Sequence, residues 1–114
     1  MKILIVGAGY VGLTSATVFA GQHEVVVVDN DKEKIRKIKK GENVISEPDL
    51  HLNQKKLKFS TSVKKVMDEH VFDFIFLCVG TPLIGQTGFT QENQLFDLSM
   101  LEKSVEEIIL NNKH

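Results

Sequence analysis

The 114-residue sequence predicts an α/β fold: a doubly wound parallel sheet with strand order 3-2-1-4, covered by helices on both faces in three layers. Two observations lead to this prediction. Runs of branched and aromatic apolar residues at 3–6, 25–28 and 72–79 have the composition of buried parallel strands. Segments with the apolar spacing of helices stand between these runs, as expected for successive βαβ units.

The first βαβ unit is the strongest signal in the chain. A strand over Lys2–Val6 is followed by the turn Gly7-Ala8-Gly9-Tyr10-Val11-Gly12. Residues 13–20 predict a short, largely buried helix that Gly21 ends, and Glu24–Val28 predicts the second strand. The turn therefore carries the pattern G-x-G-x-x-G between a strand and a helix, which is typical of a Rossmann-like dinucleotide site.

Each glycine has its own role in such a site. Gly7 permits the tight turn, Gly9 lets a pyrophosphate approach the backbone, and Gly12 lets the helix lie close to the sheet. The N–H groups at the start of the helix then face the phosphates. Asp29 stands 17 residues beyond Gly12, near the spacing of about 20 expected for the acid that binds the adenosine ribose. Because a carboxylate repels a 2′-phosphate, the sequence favours NAD over NADP.

The second helix extends the predicted ribose site. Asp31 is predicted to cap a helix over 32–40, with Ile35 and Ile38 inward and Gly41 as its end. Lys34, one turn into this helix, can reach back towards the ribose beside Asp29.

The middle of the chain carries weaker signals. Residues 42–56 predict an irregular connection with one helical turn at 50–52, and Leu57–Ser60 predicts a short strand. A helix is predicted over 62–70, with Val63, Val66 and Met67 inward.

The fourth strand, over 72–79, is predicted to be covered on both faces and to end at Gly80-Thr81-Pro82. Ligands of open α/β sheets lie beyond the carboxyl ends of the strands, so this turn is expected beside the first glycine turn. Thr81 could offer a hydroxyl and an N–H to the nicotinamide half. Cys78 is interpreted as a core residue, because no basic residue adjoins it in sequence to stabilise a thiolate.

The last segment is predicted to be a polar loop over 83–96, of the kind that forms a flap, followed by a helix to about Leu110. Ser99 and Glu102 fit a capping box, with Asp97 as an alternative cap. The face predicted to point inward consists of Leu101, Val105, Ile108 and Ile109. The outer edge of the fourth strand would be unpaired. The chain is therefore expected to be the front piece of a longer protein, or to have this edge covered by another chain, as in a homo-oligomer.

Composition excludes several classes of function. A formal net charge of −1, with Arg36 as the single arginine, argues against nucleic-acid and anionic-membrane partners. One cysteine precludes an internal disulfide and favours the cytoplasm. No apolar run reaches the length of a membrane span, and the four histidines lack the spacing of metal ligands.

Several stretches together resemble the UDP-glucose/GDP-mannose dehydrogenases, a family of nucleotide-sugar 6-dehydrogenases. The matching residues are Met1-Lys2-Ile3, Gly7-Ala8-Gly9-Tyr10-Val11-Gly12-Leu13, His23-Glu24-Val25, Val28-Asp29, Ile35, Lys40-Gly41, Glu47-Pro48, Val79-Gly80-Thr81-Pro82 and Asp97-Leu98-Ser99. The similarity runs nearly from end to end. The segment between Pro48 and Leu57 departs from it, being shorter than the helix usual in the family.

The resemblance implies that residues 1–114 are an amino-terminal NAD-binding domain without the central and UDP-binding domains. Gly7 to Gly12 would hold the pyrophosphate, with Tyr10 and Val11 at the contact. Asp29 and Lys34 would bind the adenosine ribose, and Val79, Gly80 and Thr81 would border the nicotinamide. In such enzymes the C6 alcohol of a nucleotide sugar is oxidised to a carboxylate by two NAD through a cysteine thioester. The catalytic residues lie in later parts of the family's chain, so none is assigned here, and this piece is expected to bind NAD without catalysis.

Two other functions share the glycine turn and the acid. One is a stand-alone NAD(H)-sensing module like those that regulate potassium transport. The other is an NAD-dependent dehydrogenase of the hydroxyacid or phosphogluconate type. The turn Val79-Gly80-Thr81-Pro82 and the pair Glu47-Pro48 favour the nucleotide-sugar family over both.

Overall fold

In the part of the chain that it describes, the computed structural model has the elements β1 (Lys2–Val6), α1 (Tyr10–Phe19), β2 (Glu24–Val28), α2 (Lys32–Lys39), β3 (Leu57–Ser60), α3 (Val63–Glu69), β4 (Phe74–Leu77), β5 (Leu83–Ile84), β6 (Leu95–Phe96) and α4 (Ser99–Asn111). The structure describes residues 1–42, 44–45, 50–80, 83–84, 95–96 and 99–112, with the backbone alone at 83–84 and 95–96. Thr81, Pro82, the Glu47-Pro48 pair and Asp97 lie outside the described residues.

The central sheet has the predicted topology. Its four parallel strands stand in the order β3-β2-β1-β4. Val6 is in register with Val28 on one side and with Leu77 on the other, and Val28 is in register with Ser60. The four carboxyl ends are therefore level, and the turns that follow them meet at one edge of the sheet.

Helices cover both faces of the sheet, as predicted. Alternate strand residues divide between two cores, which explains why β1 and β2 are apolar after their first residue. On one face α1 and α2 pack against Ile3, Ile5, Val25, Val27 and Leu57. On the other, α3 packs against Leu4, Val6, Val26 and Val28, and Ile108 of α4 contacts the same core.

The first helix begins earlier and is less buried than predicted. It starts at Tyr10 rather than near residue 13, because Gly9 is its N-cap and its carbonyl accepts the Leu13 N–H at 2.9 Å. Within the helix, Gly12, Leu13 and Ala16 are buried. Val18 is 75% exposed, and the prediction of a largely buried helix is wrong at this position.

The second and third helices agree with the sequence prediction. Asp31 accepts the Lys34 N–H and caps α2, Ile35 and Ile38 are buried, and Gly41 follows with a φ of +84°. The Ser62 side chain caps α3 in the same way.

The helical turn predicted at 50–52 is absent from the structure. Leu50 and Leu52 instead pack against the core beside α1. The Gln54 side chain holds this segment by donating to the carbonyls of Thr17 at 3.1 Å and His51 at 2.8 Å. Tertiary contacts have therefore replaced a local turn.

The fourth strand is shorter than predicted and is covered on one face only. Ile75 and Leu77 pack on the α3 side. Phe74 and Phe76, on the α1 side, are 50% and 39% exposed, because β4 is an edge strand and Phe19 of α1 stacks only on Phe76. In the part of the chain that is described, nothing pairs with the outer edge of β4.

The last segment departs most from the prediction. The ends of the predicted loop pair as antiparallel strands, with Leu83 opposite Phe96, while the proposed flap at 85–94 lies outside the described residues. α4 begins at Ser99, and the capping box of Ser99 and Glu102 stays a prediction. Its predicted inward face is correct at Ile108 but wrong at Val105 and Ile109, which are 37% and 68% exposed, because α4 packs chiefly on α3.

Candidate dinucleotide-binding site

The glycine turn is fixed between the ends of two strands. The Gly7 N–H donates to the Val28 carbonyl at 2.7 Å, and the Cys78 N–H donates to the Val6 carbonyl at 2.7 Å. The turn therefore lies over the centre of the carboxyl edge, between β2 and β4.

The three glycines differ in what surrounds them. Gly7 has a φ of +113°, and a Cβ there would lie 2.7 Å from the carbonyl carbon of Cys78. A Cβ on Gly12 would collide with the Gly7 carbonyl oxygen and lie 3.4 Å from the Ile5 side chain. A Cβ on Gly9 would meet no described atom within 4 Å. Fold geometry thus requires Gly7 and Gly12, whereas the space at Gly9 is left open.

The start of α1 faces that open space with its partial positive charge. Gly9 provides no side-chain cap, and the first turn of α1 contains no acidic residue. A helix N-terminus without such compensation, beside an uncrowded glycine, can bind an anion.

Asp29 is bound to the glycine turn. Its Oδ2 accepts the Ala8 N–H at 2.8 Å and its Oδ1 accepts the Asp31 N–H at 2.9 Å. The side chain is only 14% exposed, and Lys34 Nζ lies 3.8 Å from Oδ2. Since each carboxylate oxygen can accept a second hydrogen bond, Asp29 can position the turn and still bind hydroxyl groups.

A cleft of about 780 Å³ joins these groups. Of the predicted site residues, Gly7, Ala8, Gly9, Asp29, Lys34, Val79 and Gly80 line it. Tyr10, Val11 and Gly12 do not: the first two side chains are exposed on α1, and Gly12 is buried beneath the turn. Thr81 lies outside the described residues, so its predicted role stays a prediction.

Sequence reasoning missed part of the cleft wall. Residues 61–64 line it after β3, the strand beside β2. Because the carboxyl ends of parallel strands meet at one edge of the sheet, the predicted strand at 57–60 could have indicated that residues 61–64 lie at the cleft. α4 also contributes Met100, Lys103, Ser104, Glu107 and Asn111. No sequence signal predicts this contribution, because it depends on how α4 packs on α3.

Cys78 lines the cleft but is poorly suited to be a nucleophile. It packs against the core beneath the glycine turn, and burial raises the pKa of its thiol. A thiol of this kind stays protonated near neutral pH, in agreement with its interpretation as a structural residue.

The described ranges contain neither a metal-ligand cluster nor a membrane-spanning helix. No group of three or more His, Cys, Asp or Glu side chains there could hold a metal ion. No helix there is long and apolar enough to cross a membrane.

Comparison with known proteins gives a consistent result. The model of the UDP-glucose/GDP-mannose dehydrogenase family, NAD binding domain, matches residues 1–113. UDP-glucose 6-dehydrogenase of Rhizobium meliloti is 37% identical, over 97% of this chain and 25% of its own length. The crystal structure of a ternary complex of GDP-mannose dehydrogenase from Pseudomonas aeruginosa superposes with a TM-score of 0.78 at 36% identity, over 97% of this chain and 25% of that one. UDP-D-ManNAc dehydrogenase of Pyrococcus horikoshii gives a TM-score of 0.75 at 32% identity, over 95% and 25% of the two chains. The chain thus spans about a quarter of the length of these relatives.

Proposed function

This chain belongs to the UDP-glucose/GDP-mannose dehydrogenase family, as its NAD-binding domain, and we propose that it binds NAD for the oxidation of a nucleotide sugar. The reaction proposed for the whole protein is oxidation of the sugar's C6 alcohol to a carboxylate. NAD, when bound, supplies the hydride acceptor, and two are reduced for each sugar. Residues 1–114 are proposed to supply the cofactor site and none of the catalytic residues.

The pyrophosphate is proposed to lie on the backbone at Gly9. The open space there and the uncapped start of α1 together suit a bridging anion. Gly7 and Gly12 act indirectly, by holding the turn in the conformation that exposes this backbone.

The adenosine ribose is proposed to bind Asp29. Two backbone N–H groups fix its carboxylate, so its remaining acceptor positions have a defined direction before the cofactor arrives. Lys34 keeps the ion pair at 3.8 Å and lies where it can contact the same sugar. The negative charge of Asp29 disfavours a 2′-phosphate, which supports the preference for NAD over NADP.

The nicotinamide end is proposed to lie towards Val79, Gly80 and Thr81, beyond the glycine turn. Val79 and Gly80 follow β4 at the same edge of the sheet and line the cleft. The nucleotide sugar would then approach from this end, where the rest of the whole protein would supply the catalytic groups.

Two further parts of the proposal concern context. The open edge of β4, with Phe74 and Phe76 half exposed, is a proposed site of self-association, to be checked by sedimentation of the purified chain.

A cytoplasmic location is proposed from the single cysteine.

The observation that carries the proposal is the hydrogen bond of 2.8 Å between the Ala8 N–H and Asp29. It joins the predicted pyrophosphate and ribose sites, 21 residues apart in sequence, into one cleft. The parallel pairing of β1 and β2 brings these two sites together, and the continuous surface that results suits a single dinucleotide spanning both.

The test is thermal unfolding of the purified chain with NAD, NADH or NADP. At a hundred times its Kd a ligand adds about 2.7 kcal/mol to the free energy of unfolding, which raises the Tm of a domain of this size by roughly 10 °C. We expect this shift for NAD and NADH and a much smaller one for NADP at equal concentration. Equal shifts for all three would remove the role given to Asp29. Formation of NADH from UDP-glucose or GDP-mannose would contradict the absence of catalytic residues.

A further inference from the structure

α4 lines the cleft mostly with polar residues. Three of its five less exposed residues are polar, namely Ser104, Glu107 and Asn111, and all three line the cleft. Ile109 and Leu110 are 68% and 83% exposed. The exposed side of α4 also carries the charged Glu102 and Glu106, and its partly buried side also carries Leu101 and Ile108. The polar residues of α4 at the cleft are therefore available to a polar occupant.

The hydrogen bonds of this face show which kind of group it can bind. The Ser104 hydroxyl donates to the Met100 carbonyl at 2.9 Å, and the Asn111 amide donates to the Glu107 carbonyl at 2.7 Å. Both side chains thus use a donor within the helix. The Glu107 carboxylate forms no ion pair or hydrogen bond with any described residue, although Lys103 is one turn away. Lys103 also lines the cleft and is a donor. The partly buried Ser104, Glu107 and Asn111 offer mainly acceptors, so their part of the wall suits an occupant that presents N–H or O–H groups.

The proposed path of the cofactor places its base at this wall. With the pyrophosphate at Gly9 and the ribose at Asp29, the base must occupy the remaining part of the cleft, between residues 61–64 and α4. A carboxylate would repel the phosphates, so Glu107 is compatible with the base end of the dinucleotide and unfavourable at its centre. On the adenine base, the hydrogen-bond donor is the 6-amino group.

We infer that Glu107 accepts a hydrogen bond from the 6-amino group of adenine and selects adenine dinucleotides over those with a 6-oxo purine. This inference rests on the proposed function, because it assumes that the dinucleotide occupies this cleft. Ser104 supplies a second acceptor on the same wall. Hypoxanthine carries an oxygen in place of the amino group, so a carboxylate placed to accept from that amino group would face O6 without a proton between them. Hypoxanthine has its proton on the neighbouring N1, and the carboxylate could accept it only after a shift of the base or of the side chain. Glu107 is therefore a specificity-determining residue in this site.

The test compares NAD with nicotinamide hypoxanthine dinucleotide by titration calorimetry. A hydrogen bond to a charged group corresponds to roughly 10- to 100-fold in Kd, so we expect the unaltered chain to bind NAD more tightly by that factor. In Glu107→Gln the amide can donate to a 6-oxo group, so the Kd values of the two dinucleotides should differ by no more than about threefold. Glu106→Gln is the matched control: it makes the same change on the exposed side of the same helix and should leave the ratio unaltered.

The outcomes separate this inference from the proposed function. If the unaltered chain binds NAD tightly and binds the hypoxanthine dinucleotide with nearly the same Kd, the role of Glu107 is overturned and the NAD site stays in place. This measurement needs no variant that might misfold. An unchanged ratio in Glu107→Gln, with the fold verified by circular dichroism, would do the same. Failure of the unaltered chain to bind either dinucleotide would overturn the proposed function and this inference together.

Discussion

Asp29→Asn changes cofactor preference and stability for separable reasons. Asp29 uses one oxygen for the Ala8 N–H and the other for the Asp31 N–H. Asparagine has one oxygen, so its NH₂ group must face one of these donors. Losing a hydrogen bond to a charged group costs about 1.5–3 kcal/mol. The free energy of unfolding should fall by about this amount, and the chain should still fold.

The same substitution removes the charge that opposes NADP. A 2′-phosphate with two negative charges, roughly 5 Å from the carboxylate, is repelled by about 2 kcal/mol at the dielectric constant of water and about 7 kcal/mol at an effective value of 20. Asp29 is 14% exposed, so the repulsion lies between these limits. The substitution also frees Lys34 from its ion pair to attract the phosphate. We expect the ratio of the Kd values for NADP and NAD to fall at least tenfold, because the repulsion of the 2′-phosphate is removed and the ribose contact of NAD is weakened.

The assay is titration calorimetry with both cofactors, alongside urea unfolding. Asp73→Asn is the matched control, because Asp73 accepts the Lys2 N–H at 2.8 Å at the opposite edge of the sheet. The control should lose stability without changing cofactor preference. If Asp29→Asn kept the NAD preference of the unaltered chain while losing stability, Asp29 would be a purely structural residue and the electrostatic reasoning would be refuted.

The remaining predictions concern the turn and the thiol. Gly9→Ala should fold with unchanged stability, since nothing lies within 4 Å of the added methyl, and should lose at least tenfold in NAD affinity; unimpaired binding would place the pyrophosphate elsewhere. Gly7→Ala should lower the free energy of unfolding by about 2–6 kcal/mol, from backbone strain and from overlap with Cys78; a neutral effect in urea unfolding would contradict the turn geometry. Burial raises the pKa of Cys78, so its alkylation by iodoacetamide should be slow at pH 7. The alkylation rate should keep rising with pH after the rate for a free thiol has reached its plateau. Because Cys78 lines the cleft, NAD should slow the reaction further, and rapid alkylation at pH 7 would contradict its burial.

Local patterns predicted the part of the fold that local chemistry determines. The Val25–Val28 run, the Asp31 cap and the glycine turn each reflect a requirement of the adjacent backbone, and all three were predicted correctly. The level ends of the strands then follow from parallel pairing. The approximate position of Asp29 could be predicted because it depends on the length of one βαβ unit.

The features that were missed depend on contacts between distant segments. The exposure of Phe74 reflects which helix covers the edge of β4, and an apolar run cannot show that. The position of Glu107 reflects the packing of α4 on α3, which the apolar spacing of α4 predicted only at Ile108. The bond between Ala8 and Asp29 was also missed, because both residues already had an explanation as separate ligand contacts.

The hydrogen bond between Ala8 and Asp29 gives Asp29 a structural role in the glycine turn. The glycine turn is held by the carbonyl of Val28, by the backbone of Cys78, which leaves no room for a side chain at Gly7, and by the carboxylate of Asp29. Each contact is formed within the chain, so the backbone that would contact the pyrophosphate is already ordered and little conformational entropy remains to be lost on binding. A substitution at Asp29 would therefore weaken NAD binding in two ways, through the lost ribose contact and through a looser turn. Only the second effect should also appear with a ligand that lacks the adenosine ribose, such as inorganic pyrophosphate, so comparing the two ligands would separate the contributions.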